Sequence, residues 1–164
     1  MTGTMVRLRS YHHAPRRQAR YRTGDLLKAT LVIATPGVGH AFPTYVTPQV
    51  RVRAELVDAD NQPVAGSVEE RVIGRQVPLD LSREIADTRI STGRTLYPSL
   101  CSPSHGAGLR LRVTVTVLPD EFYTRFFDAL LVAGAGEGEA EIREALEATR
   151  RSPYTLYANE LPLT

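Results

Sequence analysis

The chain has one cysteine, Cys101, one lysine, Lys28, and no acidic residue before Asp25. A single thiol excludes an internal disulfide framework. With no CxxC or CxxCH anywhere, the chain also lacks a thiolate zinc site and any means of attaching a c-type haem covalently. No apolar run approaches the roughly 20 residues that a helix needs to cross a bilayer, and residues 1–10 carry charges but no apolar signal region. The chain as it stands is therefore expected to be soluble and without an export signal. The scarcity of lysine means that all but one of the 20 basic residues are arginine, a usage that reflects a GC-rich genome more than a function. Arg7, Arg9, Arg16, Arg17, Arg20 and Arg22 precede every acid, so a net charge of only +2 conceals a basic N-terminal arm. What remains is 164 residues with 42% hydrophobic and 23% charged side chains, the size and mix of one domain able to bury a core.

Hydrophobic period supplies the architecture. A short strand is expected around Met5–Arg9, followed by a polar, Arg-rich linker or arm over 10–23 that Pro15 interrupts. Residues 26–34 read as a buried β-branched strand closed by Pro36 and Gly37. Val50, Val52, Ala54 and Leu56 alternate with Arg51, Arg53 and Glu55, the period-2 mark of a strand with one buried and one wet face. Asp58–Gln62 supplies a turn, and a strand over 70–77 completes a hairpin. Asp80–Glu84 is expected to form one helical turn, 95–100 a strand and 102–108 a loop. Leu109, Leu111, Val113, Val115 and Val117 alternate with Arg110, Arg112, Thr114 and Thr116 as the strongest strand. Pro119, Asp120 and Glu121 open a helix, since proline loses nothing at a first helical position and acids suit the positive helix end. A glycine-rich break over 134–138 precedes a second helix, in which Glu139 pairs with Arg143 and which Pro153 stops. Residues 155–163 are placed as a last edge strand.

Strands first and helices last, with no alternating β-α-β pattern, predict a mainly β fold: an antiparallel, immunoglobulin-like β-sandwich with a small C-terminal helical cap. The expected division is a basic arm over 1–24, the sandwich over 25–118, and the cap and tail over 119–164.

Four histidines are the only soft metal ligands besides Cys101. His12 and His13 are adjacent, so in a strand they point to opposite faces and do not chelate one ion together. His105 reads as an exposed turn residue, and Cys101 as a small apolar residue at a strand end with no hydrolase elbow around it. His40 differs. Gly37 and Gly39 precede it and Pro43 follows, a setting that can hold an imidazole rigidly as a ligand for haem iron, copper or zinc. The plainer alternative is a histidine that bonds backbone groups of its own loop and fixes the turn. Asp58, Asp60 and Asn61 lack the glycine and distal glutamate of a calcium loop, and an ordinary turn explains them. Nucleic-acid binding by the arginine arm is disfavoured, because Tyr11 and Tyr21 are its only stacking residues and no recognition helix follows.

Three stretches carry a resemblance. Gly39-His40-Ala41-Phe42-Pro43-Thr44, Asp87-Thr88-Arg89-Ile90 with Gly93, and Pro119-Asp120-Glu121-Phe122-Tyr123 resemble, in order and spacing, motifs in the C-terminal β-sandwich-like region of exported multihaem c-type cytochromes related to the cytochrome c554 group. Tyr45 stands where that family usually has glycine. The haems of the family are held by upstream CxxCH motifs, so the resemblance covers the accessory region and not the redox region. It implies a non-catalytic accessory domain, with no haem covalently bound here, a haem-bearing domain or subunit as partner, His40 as the residue that inherits any haem-ligand role, and a periplasmic or extracellular location. Gly39, Pro43, Thr44, Asp87 and Arg89 are the accompanying motif residues. Two other classes stay open: a stand-alone immunoglobulin-like binding module without redox role, and a mononuclear metal enzyme using His40 with His12 or His13.

Overall fold

The structure, a computed structural model, describes residues 5–10, 26–35, 39–91, 95–96, 99–103 and 108–163, with backbone alone for 5–10, 26–30, 95–96 and 99–103. Two open antiparallel sheets share one core. In the first, β2 (Leu26–Ala34) pairs with β1 (Met5–Ser10) on one edge and with β7 (Thr95–Leu96) and β8 (Ser99–Pro103) on the other. In the second the order is β10 (Tyr154–Pro162), β9 (Arg110–Leu118), β3 (Gln49–Val57), β4 (Glu69–Ile73). A two-stranded ribbon joins β5 (Arg75–Gln76) to β6 (Ala86–Asp87). The mainly β fold with a small helical part near its C-terminus is thus as the alternation and element order predict.

The register of the second sheet explains its core. Val50 lies opposite Val117, Val52 opposite Val115, Ala54 opposite Val113 and Leu56 opposite Leu111, so the period-2 apolar residues of two strands share one face. All eight are buried, and Leu31 and Ile33 from β2 join the same cluster. Each valine or leucine so buried contributes about 1.5–3 kcal/mol of transfer free energy. The opposite face departs from the expected wet face at Glu55. Its carboxylate is buried, with Arg53 at 2.7 Å and Arg112 at 3.6 Å, because two long guanidinium side chains from β3 and β9 cover it.

The two predicted helices are α1 (Glu121–Ala133) and α2 (Glu139–Arg151), separated by a 3₁₀ turn at Gly136–Gly138. The helix opens two residues later than proline at its first position would place it. Asp120 is the N-cap, although its side chain makes no capping bond. Gly134 ends α1 at φ 92°, where a side chain would be strained. The helices pack on each other, and Arg150 bridges to Asp128 across them at 3.2 Å. The tail is the edge strand β10, with a register shift between Thr155 and Tyr157.

Three local expectations are corrected. Asp80–Glu84 forms no helical turn: Leu81 takes φ 57°, the Asp80 carboxylate accepts the Ser82 N–H, and Ile85 N–H bonds Gln76 O, which closes the β5–β6 ribbon. The strand over 70–77 breaks at Gly74 into β4 and β5, and that over 95–100 divides into β7 and β8, the latter reaching Pro103. Asp58–Gln62 is the expected turn, its Asp58 carboxylate accepting the N–H groups of Asp60 and Gln62.

Candidate functional site

Residues 39–48 form an irregular segment that leads into β3, and two anchors hold it. Phe42 and Ile90 exchange both backbone bonds, at 2.9 and 2.8 Å, and Ile90 is buried in the core. Pro43, which follows a cis peptide, is also buried. Between them the loop turns outward, so that Gly39, His40 and Tyr45 are exposed.

The second anchor is a guanidinium. Arg89 grips the Asp87 carboxylate with both Nε (2.9 Å) and Nη2 (2.6 Å), and its Nη1 donates to the Thr44 carbonyl at 3.1 Å. A planar donor fork suits this two-oxygen contact better than an ammonium would. Bonding to Arg89 lowers the Asp87 carboxyl from its ordinary 3.8 to about 2, and Asp87 in turn raises the Arg89 pKa. The strip that carries Arg89 is itself fixed. The Thr88 hydroxyl accepts the Gly74 N–H at 3.0 Å and lies within donating distance of Val72 O (2.9 Å) and Gly74 O (3.1 Å). A Cβ at Gly74 would lie 3.3 Å from Gln49 Cγ and 3.4 Å from Pro48 O, so the chain passes close to the start of β3 at the break between β4 and β5.

At the top of this construction His40 Nδ1 lies 3.1 Å from Ala41 O and 3.0 Å from Thr44 Oγ1. A carbonyl oxygen only accepts, so in the tautomer that bonds Ala41 the ring proton is on Nδ1, whereas in the other the Thr44 hydroxyl donates to a bare Nδ1. In the first of these the lone pair sits on Nε2, and in either no partner of Nε2 exists among the described residues. The plain expectation that His40 bonds its own loop is met at Nδ1. That bond leaves the other nitrogen available, the arrangement by which ligating histidines are oriented.

The third motif reaches the same loop. The N–H of Phe122, one of the donors that a helix leaves unpaired in its first turn, bonds Thr47 O at 3.2 Å. Arg125 pairs with Glu121 at 2.9 Å, lies over the Phe122 ring and reaches Val77 O. Beyond it a cleft of about 300 Å³ opens between Arg51, the first turn of α1 and Thr149–Pro153.

The structure therefore brings Gly39, His40, Pro43, Thr44, Asp87 and Arg89 to one place, with Pro119–Tyr123 adjoining through Thr47. His12, His13, His105 and most of the arginine arm lie outside the described residues, and Cys101 is described only as backbone in β8. Among the described residues no three His, Cys, Asp or Glu side chains are grouped to hold a metal ion. Sequence reasoning missed Thr88, Gly74 and Thr47. A glycine inside a predicted strand marks a break or a close approach, and for Gly74 that signal was available.

No protein-family model matches the chain, and no curated protein matches it. Among solved structures it is similar to a penta-heme cytochrome c552 from Thermochromatium tepidum, with a TM-score of 0.62 and 12% identity over 97% of this chain. The chain shares its fold with part of that cytochrome. It spans 39% of that cytochrome's length, and at this identity the likeness concerns the fold alone. No helix among the described residues is long and apolar enough to cross a membrane.

Proposed function

We propose that this chain is a non-catalytic accessory domain of a multihaem electron-transfer system, and that it offers His40 to a haem carried by a partner or by a further part of the same protein. The observation that carries the reading is His40 itself: an exposed imidazole whose Nδ1 is bound within its loop and whose Nε2 has no partner among the described residues. The fold shared with part of that cytochrome and the convergence of the three motifs around that loop support it. The donor set fits the group, since a neutral imidazole is a good haem-iron ligand and this one is held from behind. Haem supplies one-electron redox chemistry, tuned by axial ligand and burial. This chain's part is to orient the imidazole and to shield a haem edge from water. Such a role belongs in the periplasmic or extracellular space where c-type cytochromes work.

The test is a spectral titration of the folded chain with a haem-c peptide that has one open axial position. Conversion from high-spin to low-spin absorption, lost in His40→Ala, supports the reading; identical spectra for the two proteins overturn it.

A second reading, a binding module without redox role, is favoured by β10. Nothing among the described residues pairs its outer edge, and Tyr154 and Leu156 are 53% and 39% exposed. An open edge of nine residues is a template for strand addition. Capture of an extended peptide on β10, blocked by proline at Ala158 and indifferent to His40→Ala, distinguishes it.

A further inference from the structure

The second sheet ends on two unlike edges. On one side β4 begins with Glu69, Glu70 and Arg71, charges of the kind that keep an edge from pairing with another chain. On the other side β10 is nine residues long and carries a single charge, Glu160, which Arg110 and Arg112 of β9 already hold at 3.1 and 2.7 Å. One bond tells which backbone groups of β10 face outward. Leu163 N–H donates to Leu109 O, so by the alternation of an antiparallel ladder Leu161, Asn159 and Tyr157 also turn their N–H and C=O groups to β9, while Ala158 and Glu160 turn theirs away. Pro162 belongs to the outward set, where its missing N–H takes no bond from β9. The register shift between Thr155 and Tyr157 ends the regular stretch at Tyr157. Tyr157 and Leu161 pack against the core cluster and stay half-buried, and Asn159 between them is exposed.

This stretch is complementary to itself. An antiparallel second copy whose two-fold axis passes beside Asn159 sets Tyr157 opposite the second copy's Leu161, and Leu161 opposite its Tyr157. Two half-buried apolar pairs then continue the core across the junction. Ala158 exchanges both main-chain bonds with Glu160 of the second copy, and Glu160 with its Ala158, so the outward groups of both strands are satisfied. An axis at Glu160 would instead set two carboxylates face to face, and an axis at Ala158 would set Tyr157 against Asn159. We infer that β10 is a homodimerisation edge, through which two copies of this chain pair over 157–161 about Asn159 and join their second sheets into one. The inference rests on the same open edge as the binding-module reading and names what fills it. An interface of one strand from each copy is small, so the dissociation constant is expected on the order of 10–100 μM.

Sedimentation equilibrium of the full chain at concentrations from about 5 to 500 μM brackets that range and is expected to show a monomer–dimer equilibrium. Ala158→Pro removes an outward N–H that β9 does not use, and is expected to weaken the dimer at least about tenfold. Asn159→Lys, at an exposed side chain, sets two ammonium groups face to face on the axis and does the same should the proline variant not fold. Register is read by oxidation. Opposed non-hydrogen-bonded residues lie about 4.5 Å apart, within disulfide reach, so Asn159→Cys is expected to cross-link two copies. Thr155→Cys, about 27 Å from its own counterpart along the ladder, and the wild type, whose only thiol is Cys101, are expected not to. A wild type that stays monomeric, a dimer unmoved by Ala158→Pro and Asn159→Lys, or a dimer that Asn159→Cys does not cross-link overturns the inference. A monomeric chain that still captures an extended peptide on β10 overturns it and leaves the binding-module reading standing. A dimer that Ala158→Pro dissolves, in a chain that captures no peptide, supports it while that reading falls.

Discussion

The face between β3 and β9 and the loop that carries His40 adjoin, yet different forces hold them. In the sheet, eight apolar side chains in two facing strands are buried together. The loop has one buried proline and one buried strip residue, Ile90; the rest of its shape depends on a few directional bonds from Arg89, Thr88 and Thr44. Apolar burial is non-directional and sums over area, whereas each hydrogen bond is worth little net and fixes a geometry. A sheet of the first kind supplies stability, and a loop of the second kind supplies aim.

The sharpest way to break this contrast is a charge in the sheet core. Val115 is fully buried, so Val115→Asp places an unpaired carboxylate there and is expected to remove more than about 4 kcal/mol, enough to unfold a typical domain. Loss of the cooperative thermal transition in circular dichroism is the expected result, and a folded variant would mean that the sheet faces are wrongly assigned. Arg89→Ala comes next. It removes charge-assisted bonds at a side chain only 21% exposed and is expected to lower stability by about 1–2 kcal/mol in urea unfolding while the sheet stays intact; a loss as large as that of Val115→Asp would erase the distinction between the two regions.

Acid supplies a third test. The Asp87 carboxyl is depressed in the folded chain to about 2 from 3.8, so its contribution is fully present above 3.8 and is lost as the pH falls through about 2. Asp87 is 31% exposed, and solvent screening reduces the effect to about 1 kcal/mol at most. Carboxyl ¹³C titration is expected to give a midpoint near 2 that rises toward the ordinary value in Arg89→Ala. A midpoint unmoved by that substitution would show that Arg89 does not hold Asp87. Smallest of all, Glu139→Gln removes the exposed i,i+4 pair with Arg143 at 2.6 Å and is expected to change stability by about 0.3 kcal/mol, within the error of most denaturation curves.

The same contrast governs what was legible from residues alone. The alternation from Leu109 to Val117 and from Val50 to Leu56 specified strands, faces and core, because period 2 is a local property. The helices and the edge strand followed from Pro119, the glycines over 134–138 and Pro153. The predicted helical turn at Asp80–Glu84 failed because composition does not reveal that Leu81 adopts φ 57° to close a ribbon between distant residues. Glu55 was assigned to solvent because period says nothing of arginines on a neighbouring strand. At the site, His40, Thr44, Asp87 and Arg89 were each visible as motif residues, but the bond from Arg89 to Thr44 spans 45 positions. No pattern in the sequence announces a contact at that separation.

The central claim, that His40 presents a free Nε2 to a haem outside this chain, meets its most direct test in the haem-c peptide titration. The account predicts low-spin conversion with wild-type protein, absent in His40→Ala. Conversion that persists in folded His40→Ala, or no conversion with the wild type, would contradict it.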